Sequence, residues 1–137
     1  NMTKIDSSKK AEVWRSEMEL QSKLYIWFYN EFPEFRILSK TVKTPRCLLM
    51  HNYLNPKNKI DGTKLVAAGL CKGFPDLTLN VSRGGHGALM IELKLPKQKP
   101  KKEQLEVHVA LRLQGYHVVW CDSLEGAKNE ILKYLKI

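Results

Sequence analysis

Pro75-Asp76-Leu77-Thr78-Leu79-Asn80-Val81, then Arg83-Gly84-Gly85-His86-Gly87, then Leu89-Met90-Ile91-Glu92-Leu93-Lys94-Leu95 is the stretch whose reading decides the fold. Side chains of a strand alternate between its two faces. Leu77, Leu79 and Val81 therefore share one face, and Asp76, Thr78 and Asn80 the other. In the second run Leu89, Ile91, Leu93 and Leu95 share a face, and Glu92 and Lys94 share the opposite one. The glycine-rich link makes the two runs a hairpin. Its apolar faces must coincide, so its polar faces coincide too. That register puts Asp76 opposite Glu92 or next to that position.

Two carboxylates on neighbouring strands repel each other, and a cation between them relieves the conflict. Their hard oxygens suit Mg²⁺ or Mn²⁺. Pro75 cannot continue a ladder, which sets Asp76 at a strand start, where a metal can reach it. A bare Glu-x-Lys triplet is common on solvated strands as a simple salt pair. It is Pro75-Asp76 on the paired strand that gives Glu92 and Lys94 another meaning.

Upstream, residues 16–30 read as a helix that Pro33 ends. Ser16-x-x-Glu19 has the form of a capping box. Leu20, Leu24, Trp27 and Phe28 recur at helical spacing and mark the buried stripe. Glu17 lies within the arc of Leu20, Leu24 and Phe28, with Gln21 beside it, while Glu19 points away. A charge on a buried stripe needs a partner. A metal shared with Asp76 and Glu92 would supply one. The simpler reading is a first-turn glutamate favoured by the helix dipole.

Cys47–Leu54 reads as a strand, followed by a turn at Asn55-Pro56-Lys57-Asn58. Thr63–Leu70 reads as a short helix closed by Gly69 or Gly73. Residues 101–114 are ambiguous. Leu105, Val107, Val109, Leu111 and Leu113 alternate as in a strand, but Pro100, Glu103 and Gly115 punctuate the segment like a helix. Tyr116–Cys121 reads as a strand and Ser123–Leu135 as a helix with a poor start at Ser123-x-x-Gly126.

In this order the motifs resemble the VRR-NUC (virus-type replication-repair nuclease) family within the PD-(D/E)XK nuclease superfamily. They are Glu17 with Gln21, then Lys72-Gly73-Phe74-Pro75-Asp76-Leu77, Ile91-Glu92-Leu93-Lys94, Glu103-Gln104 and Gly115-Tyr116. Each motif alone is weak; the ordered set, over roughly residues 16–125, is specific. The resemblance implies an α/β fold with a restriction-endonuclease-like core, αβββαβ, its mixed central sheet flanked by helices. It implies that segment 101–114 is helical. It implies Mg²⁺ or Mn²⁺ held by Glu17, Asp76, Glu92 and the Leu93 carbonyl. It further implies Lys94 orienting or activating the attacking water and Gln104 supporting the active site.

Composition sets outer bounds. The chain has 137 residues, 43% hydrophobic and 27% charged, which suits one globular domain with its own core. We divide it into a flexible N-terminal segment or helix start, 1–15, and a single nuclease domain, 16–137. Asn1, ahead of Met2, is set aside as a cloning remnant. The net charge of +9 points to a polyanionic partner. Lys72, Lys97, Lys99, Lys101 and Lys102 are the candidates for holding a DNA backbone by counterion release; the bland alternative is a solvated basic loop. Cys47, Cys71 and Cys121 are odd in number and far apart, which suggests buried thiols in a reducing compartment and no zinc. His51, His86, His108 and His117 have no ligand spacing and read as structural or solvated, with His86 the most accessible and a possible DNA contact. No membrane-spanning run, secretory signal or nucleotide-binding P-loop is present, so no membrane and no nucleotide cofactor are expected. Gly84-Gly85-His86-Gly87 joins two hairpin strands and does not open a helix, so it is not a phosphate loop.

The expected function is a metal-dependent, structure-specific endonuclease cutting branched DNA such as four-way junctions, in the cytoplasm of a bacterial or phage-infected cell. The alternatives are a non-cleaving DNA-binding module and a nuclease with flap or non-specific nicking preference. The succession Tyr25, Ile26, Trp27, Phe28 and Tyr29 is too broad for one buried stripe, which suggests a homodimer interface.

Overall fold

A computed structural model describes residues 12–52 and 58–137. Helix α1, Glu17–Glu31, is followed by a short 3-10 turn, Pro33–Phe35, and by strand β1, Leu49–His51. Helix α2, Lys59–Ala67, leads to strands β2, Leu77–Leu79, and β3, Leu89–Leu93. Helix α3, Lys102–Leu113, strand β4, His117–Cys121, and helix α4, Leu124–Leu135, complete the order. The sheet order is β1-β2-β3-β4, antiparallel except for the parallel pair β3 and β4. This is the expected mixed α/β core, with α2 and α4 added to it.

The hairpin has the expected register. Leu77 pairs with Ile91 and Thr78 with Met90, so one step further Asp76 faces Glu92. Arg83 and His86 exchange backbone hydrogen bonds of 3.1 and 2.8 Å. Gly84 and Gly85 lie between them at φ +54° and +81°. A two-residue turn with positive φ at both positions matches the right-handed twist of the strands, and glycine adopts it without strain.

Leu77, Leu79, Leu89, Ile91 and Leu93 form the apolar face of the sheet. Leu20, Leu24 and Phe28 of α1 and Ala127, Ile131 and Tyr134 of α4 pack onto it. Helix α3 covers the other face, and there His108 is the residue it buries. The strand-like alternation in 105–113 thus belongs to a helix.

Three sequence expectations are corrected. Ser16 Oγ accepts from Glu19 N at 3.1 Å, but the Glu19 carboxylate accepts from Arg15 Nε at 2.7 Å, so only half the capping box forms. The strand expected over Cys47–Leu54 is paired as a strand only at Leu49–His51, with Cys47 in an isolated bridge to Arg36. Residues 53 and 54, and the turn expected at 55–57, lie outside the described residues, as does segment 1–11. The helix expected at Thr63–Leu70 spans Lys59–Ala67, because Asn58 Oδ1 caps it by accepting from Asp61 N. Gly69, at φ +106°, closes it: Gly69 N donates to Val66 O and Leu70 N to Leu65 O, a Schellman motif.

The start of α4 has a partner that local sequence does not reveal. Besides Ser123 Oγ accepting from Gly126 N, the Glu12 carboxylate accepts from Leu124 N at 2.6 Å and Glu125 N at 3.4 Å. Trp14 Nε1 donates to the same carboxylate at 3.0 Å.

Candidate active site

Glu17, Asp76, Glu92, Lys94 and Gln104 line one cavity of about 420 Å³, with Lys72 and Lys101 on its wall. The cavity opens at the end of the sheet where β3 runs past the short β2. The first two turns of α1 bring Glu17 and the buried Gln21 from one face, and α3 brings Gln104 from the other. Lys97, Lys99 and Lys102 are exposed and do not line it; Lys97 has the positive φ of +70° in the loop after β3.

Pro75 organises the sheet end. The bonds Asn52 N to Asp76 O and Lys94 N to Cys121 O show that even-numbered residues of β2 and β3 bond outward, to β1 and β4. Odd residues therefore bond across the hairpin, and Pro75 would be the next partner of Leu93. Proline has no N–H, so Leu93 O loses its ladder donor. Leu93 N instead donates to Asp76 Oδ2 at 2.7 Å, which fixes that carboxylate. Pro75 O is taken by Asn52 Nδ2 at 3.0 Å, and the same nitrogen reaches Thr78 Oγ1 at 2.8 Å. Asn52 clamps the corner by three hydrogen bonds, and sequence reading missed it. Its partners lie 23 to 26 residues away, so no spacing could have singled it out.

Gly73 joins this corner to α3. Its φ is +90°, and a Cβ there would meet Glu103 O at 2.6 Å and Glu103 C at 2.9 Å. Both facts demand glycine where the Pro75-Asp76 loop crosses the helix start. At that start Lys101 N donates to Gln104 Oε1 at 2.8 Å. Gln104 thus caps α3 while it lines the cavity.

The polar strand face is buried, not solvated. Glu92 is 2% exposed and Lys94 7%. Burial, and then the neighbouring Glu92 carboxyl, push Asp76 up to about 7, against the Leu93 N–H and Lys94, which pull it down. Burial also raises Glu92, although its hydrogen bond with Asp76 and the Lys94 charge oppose this. Glu17 is raised by burial, with Lys94 lowering it and Asp76 raising it. His108 Nε2 lies 3.4 Å from Glu92 Oε1, and burial followed by Arg112 and Lys94 holds this imidazole below its ordinary range.

These features fit a hard divalent cation. The buried Glu92 and half-buried Asp76 are adjacent carboxyls in electrostatic conflict, and Leu93 O beside them lacks its ladder donor. Among the described residues no three His, Cys, Asp or Glu side chains form a ready cage, so the carbonyl and water would share the coordination. Cys47 and Cys121 are buried as expected, but Cys71 is exposed; all three thiols are free. His86 belongs to the far hairpin turn, about 20 Å along the strand from Glu92, where its ring lies 5.1 Å from that of His117.

A mixed sheet with a facing carboxylate pair and a lysine at its open end defines the PD-(D/E)XK class of nuclease. Within that class, the chain belongs to the VRR-NUC domain family, whose model matches residues 16–125. A solved structure described as a VRR_NUC domain protein has the same fold, with a TM-score of 0.69 at 22% identity over 91% of this chain and 92% of that one. Comparison with curated proteins gives no match. Nucleases of this family use divalent metal ions. Among the described residues no helix is long and apolar enough to cross a membrane.

Proposed function

We propose that this chain is an Mg²⁺- or Mn²⁺-dependent endodeoxyribonuclease of replication and repair that cuts branched DNA, with the four-way junction as its preferred substrate. The observation that carries the reading is the convergence of Glu17, Asp76, Glu92 and Lys94 in a single cavity with Lys72 and Lys101 at its wall. Asp76, Glu92, the Leu93 carbonyl and Glu17 would hold the cation. When bound, the ion polarises the scissile phosphate and lowers the pKa of a coordinated water.

The chain's own groups supply the rest. The Lys94 ammonium, buried beside both carboxyls, orients the attacking water and offsets charge developing on the phosphate. Gln104, its Oε1 fixed by Lys101 N, presents its amide group along the cavity wall. Lys72 and Lys101 hold flanking phosphates, and the exposed Lys97, Lys99 and Lys102 extend the basic track. The enzyme works in the cytoplasm, where its three thiols stay reduced.

The test is a panel of labelled four-way junctions, flaps, splayed arms and linear duplex, cut with Mg²⁺ or Mn²⁺. Asp76→Ala, Glu92→Ala and Lys94→Ala are each expected to abolish cutting while the fold persists, and Glu19→Ala to cut nearly normally. A protein that binds junctions but never nicks them would instead be a DNA-binding module. If linear duplex is cut as fast as a junction at ~0.1–0.15 M salt, where non-specific binding is already weakened, the junction preference is wrong.

A further inference from the structure

The one side chain that helix α3 buries fully is polar. His108 lies in a column with Gln104 and Arg112, spaced four apart, whose polar groups reach the cavity and β4, with the half-buried Val107 and Leu111 beside it. Gln104 lines the cavity wall, and Arg112 Nη2 donates to Val118 O at 2.9 Å on the outer edge of β4. Between them His108 is 0% exposed, directly over Glu92. Burying an imidazole against a carboxylate is costly unless it bonds. A leucine would fill the same place at less cost.

We infer that His108 is a positioning residue: its Nε2–H holds Glu92 Oε1 and fixes the plane in which Glu92 offers its other oxygen to the metal. Hydrogen-bond geometry selects the tautomer. His108 Nδ1 is buried and has no partner. With the proton on Nε2, the unpartnered atom is only an acceptor, and the donor meets a carboxylate oxygen 3.4 Å away. With the proton on Nδ1, a buried donor would be left unpaired, and the Nε2 lone pair would face the Glu92 oxygens. The first arrangement avoids both penalties. A contact of 3.4 Å is long for a charge-assisted bond. The role is that of the outer partner that orients a ligand carboxylate.

The inference rests on the metal reading of the site, so the experiment separates the two. Mn²⁺ binding is measured by titration calorimetry on wild type and on His108→Leu, His108→Gln and His108→Asn, with thermal melting of each metal-free protein alongside. Glutamine can place its amide N–H₂ near the Nε2 position; asparagine reaches only as far as Nδ1. His108→Leu and His108→Asn are expected to bind Mn²⁺ about 10- to 100-fold more weakly, and His108→Gln to recover most of the loss. A merely structural histidine would change melting temperatures without this ordering of affinities. If wild type binds no Mn²⁺, the metal reading and this inference fall together. If wild type binds and His108→Leu binds equally well, the inference alone is overturned. Should His108→Leu not fold, equal Mn²⁺ affinities in the glutamine and asparagine variants would overturn it instead.

Discussion

Asp76 is held by opposing forces whose balance is readable in titration. Burial and the Glu92 carboxyl favour its neutral form and push it up to about 7, while the Leu93 N–H and Lys94 favour its charge. In the unfolded chain the same group titrates near 3.8. Between these values the folded protein holds more protons than the unfolded one, so metal-free stability falls as pH rises through that window. Glu17 and Glu92 are raised too and act in the same sense. At the proposed metal site a cation would have to displace the proton from Asp76. Mn²⁺ affinity is therefore expected to rise by up to about tenfold per pH unit below pH 7 and to level off above it, with proton release on binding. Titration calorimetry in buffers of different ionisation enthalpy measures both quantities. Affinity that is flat from about pH 5.5 to 8 would show that Asp76 is already ionised in the free site.

At the scale of elements, the helix ends show what short-range reading can and cannot recover. The start of α4 looks poor in sequence, yet Glu12 supplies an acceptor from 112 residues away. Glu12→Ala is expected to cost about 1 kcal/mol, the usual worth of a cap, which is roughly 2–4 °C in melting temperature. Cleavage per folded molecule should be unchanged, because Glu12 lies outside the cavity. A melting curve identical to wild type would show that Ser123 alone suffices. The hairpin was legible because period-two alternation in β2 and β3 fixes register, and Glu17 was legible because it falls on the stripe of Leu20, Leu24 and Phe28. Helix α3 was not legible from pattern alone. Its one fully buried side chain is His108, with Gln104, Val107 and Leu111 half-buried beside it, while Leu105, Val109 and Leu113 are 45%, 55% and 79% exposed. A polar residue at the centre of the inward face and apolar ones outside it weaken the usual amphipathic signature and leave an alternation that imitates a strand. Asn52 and His108 stayed hidden for another reason: each acts through a partner that only the tertiary fold brings near.

For the whole molecule the open quantity is how many chains act together. The aromatic run on α1 offers little free surface for a second chain, because the chain itself covers those rings. Phe28 is fully buried, Trp27 packs edge-on against Phe32 at 5.7 Å, and Arg36 stacks over Tyr29 at 4.4 Å. Tyr25 Oη donates to Pro45 O, and only Ile26 of the run stays substantially exposed. Exposed apolar surface remains elsewhere, including the column of Leu105, Val109 and Leu113 on α3. The need for two sites holds wherever the contact lies. Among the described residues Glu17, Asp76, Glu92 and Lys94 build a single such site per chain, and resolving a four-way junction needs two paired nicks. A two-fold dimer provides both sites with one contact used twice. The net charge of +9 opposes that association, and salt screens the repulsion while it weakens DNA binding. Self-association is therefore expected to strengthen, and junction affinity to fall, as salt rises from ~0.05 to ~0.2 M. Sedimentation at micromolar concentration should give twice the 15.8 kDa of a single chain. A mass that stays near 15.8 kDa across that range would leave the two nicks to two separate encounters with the junction.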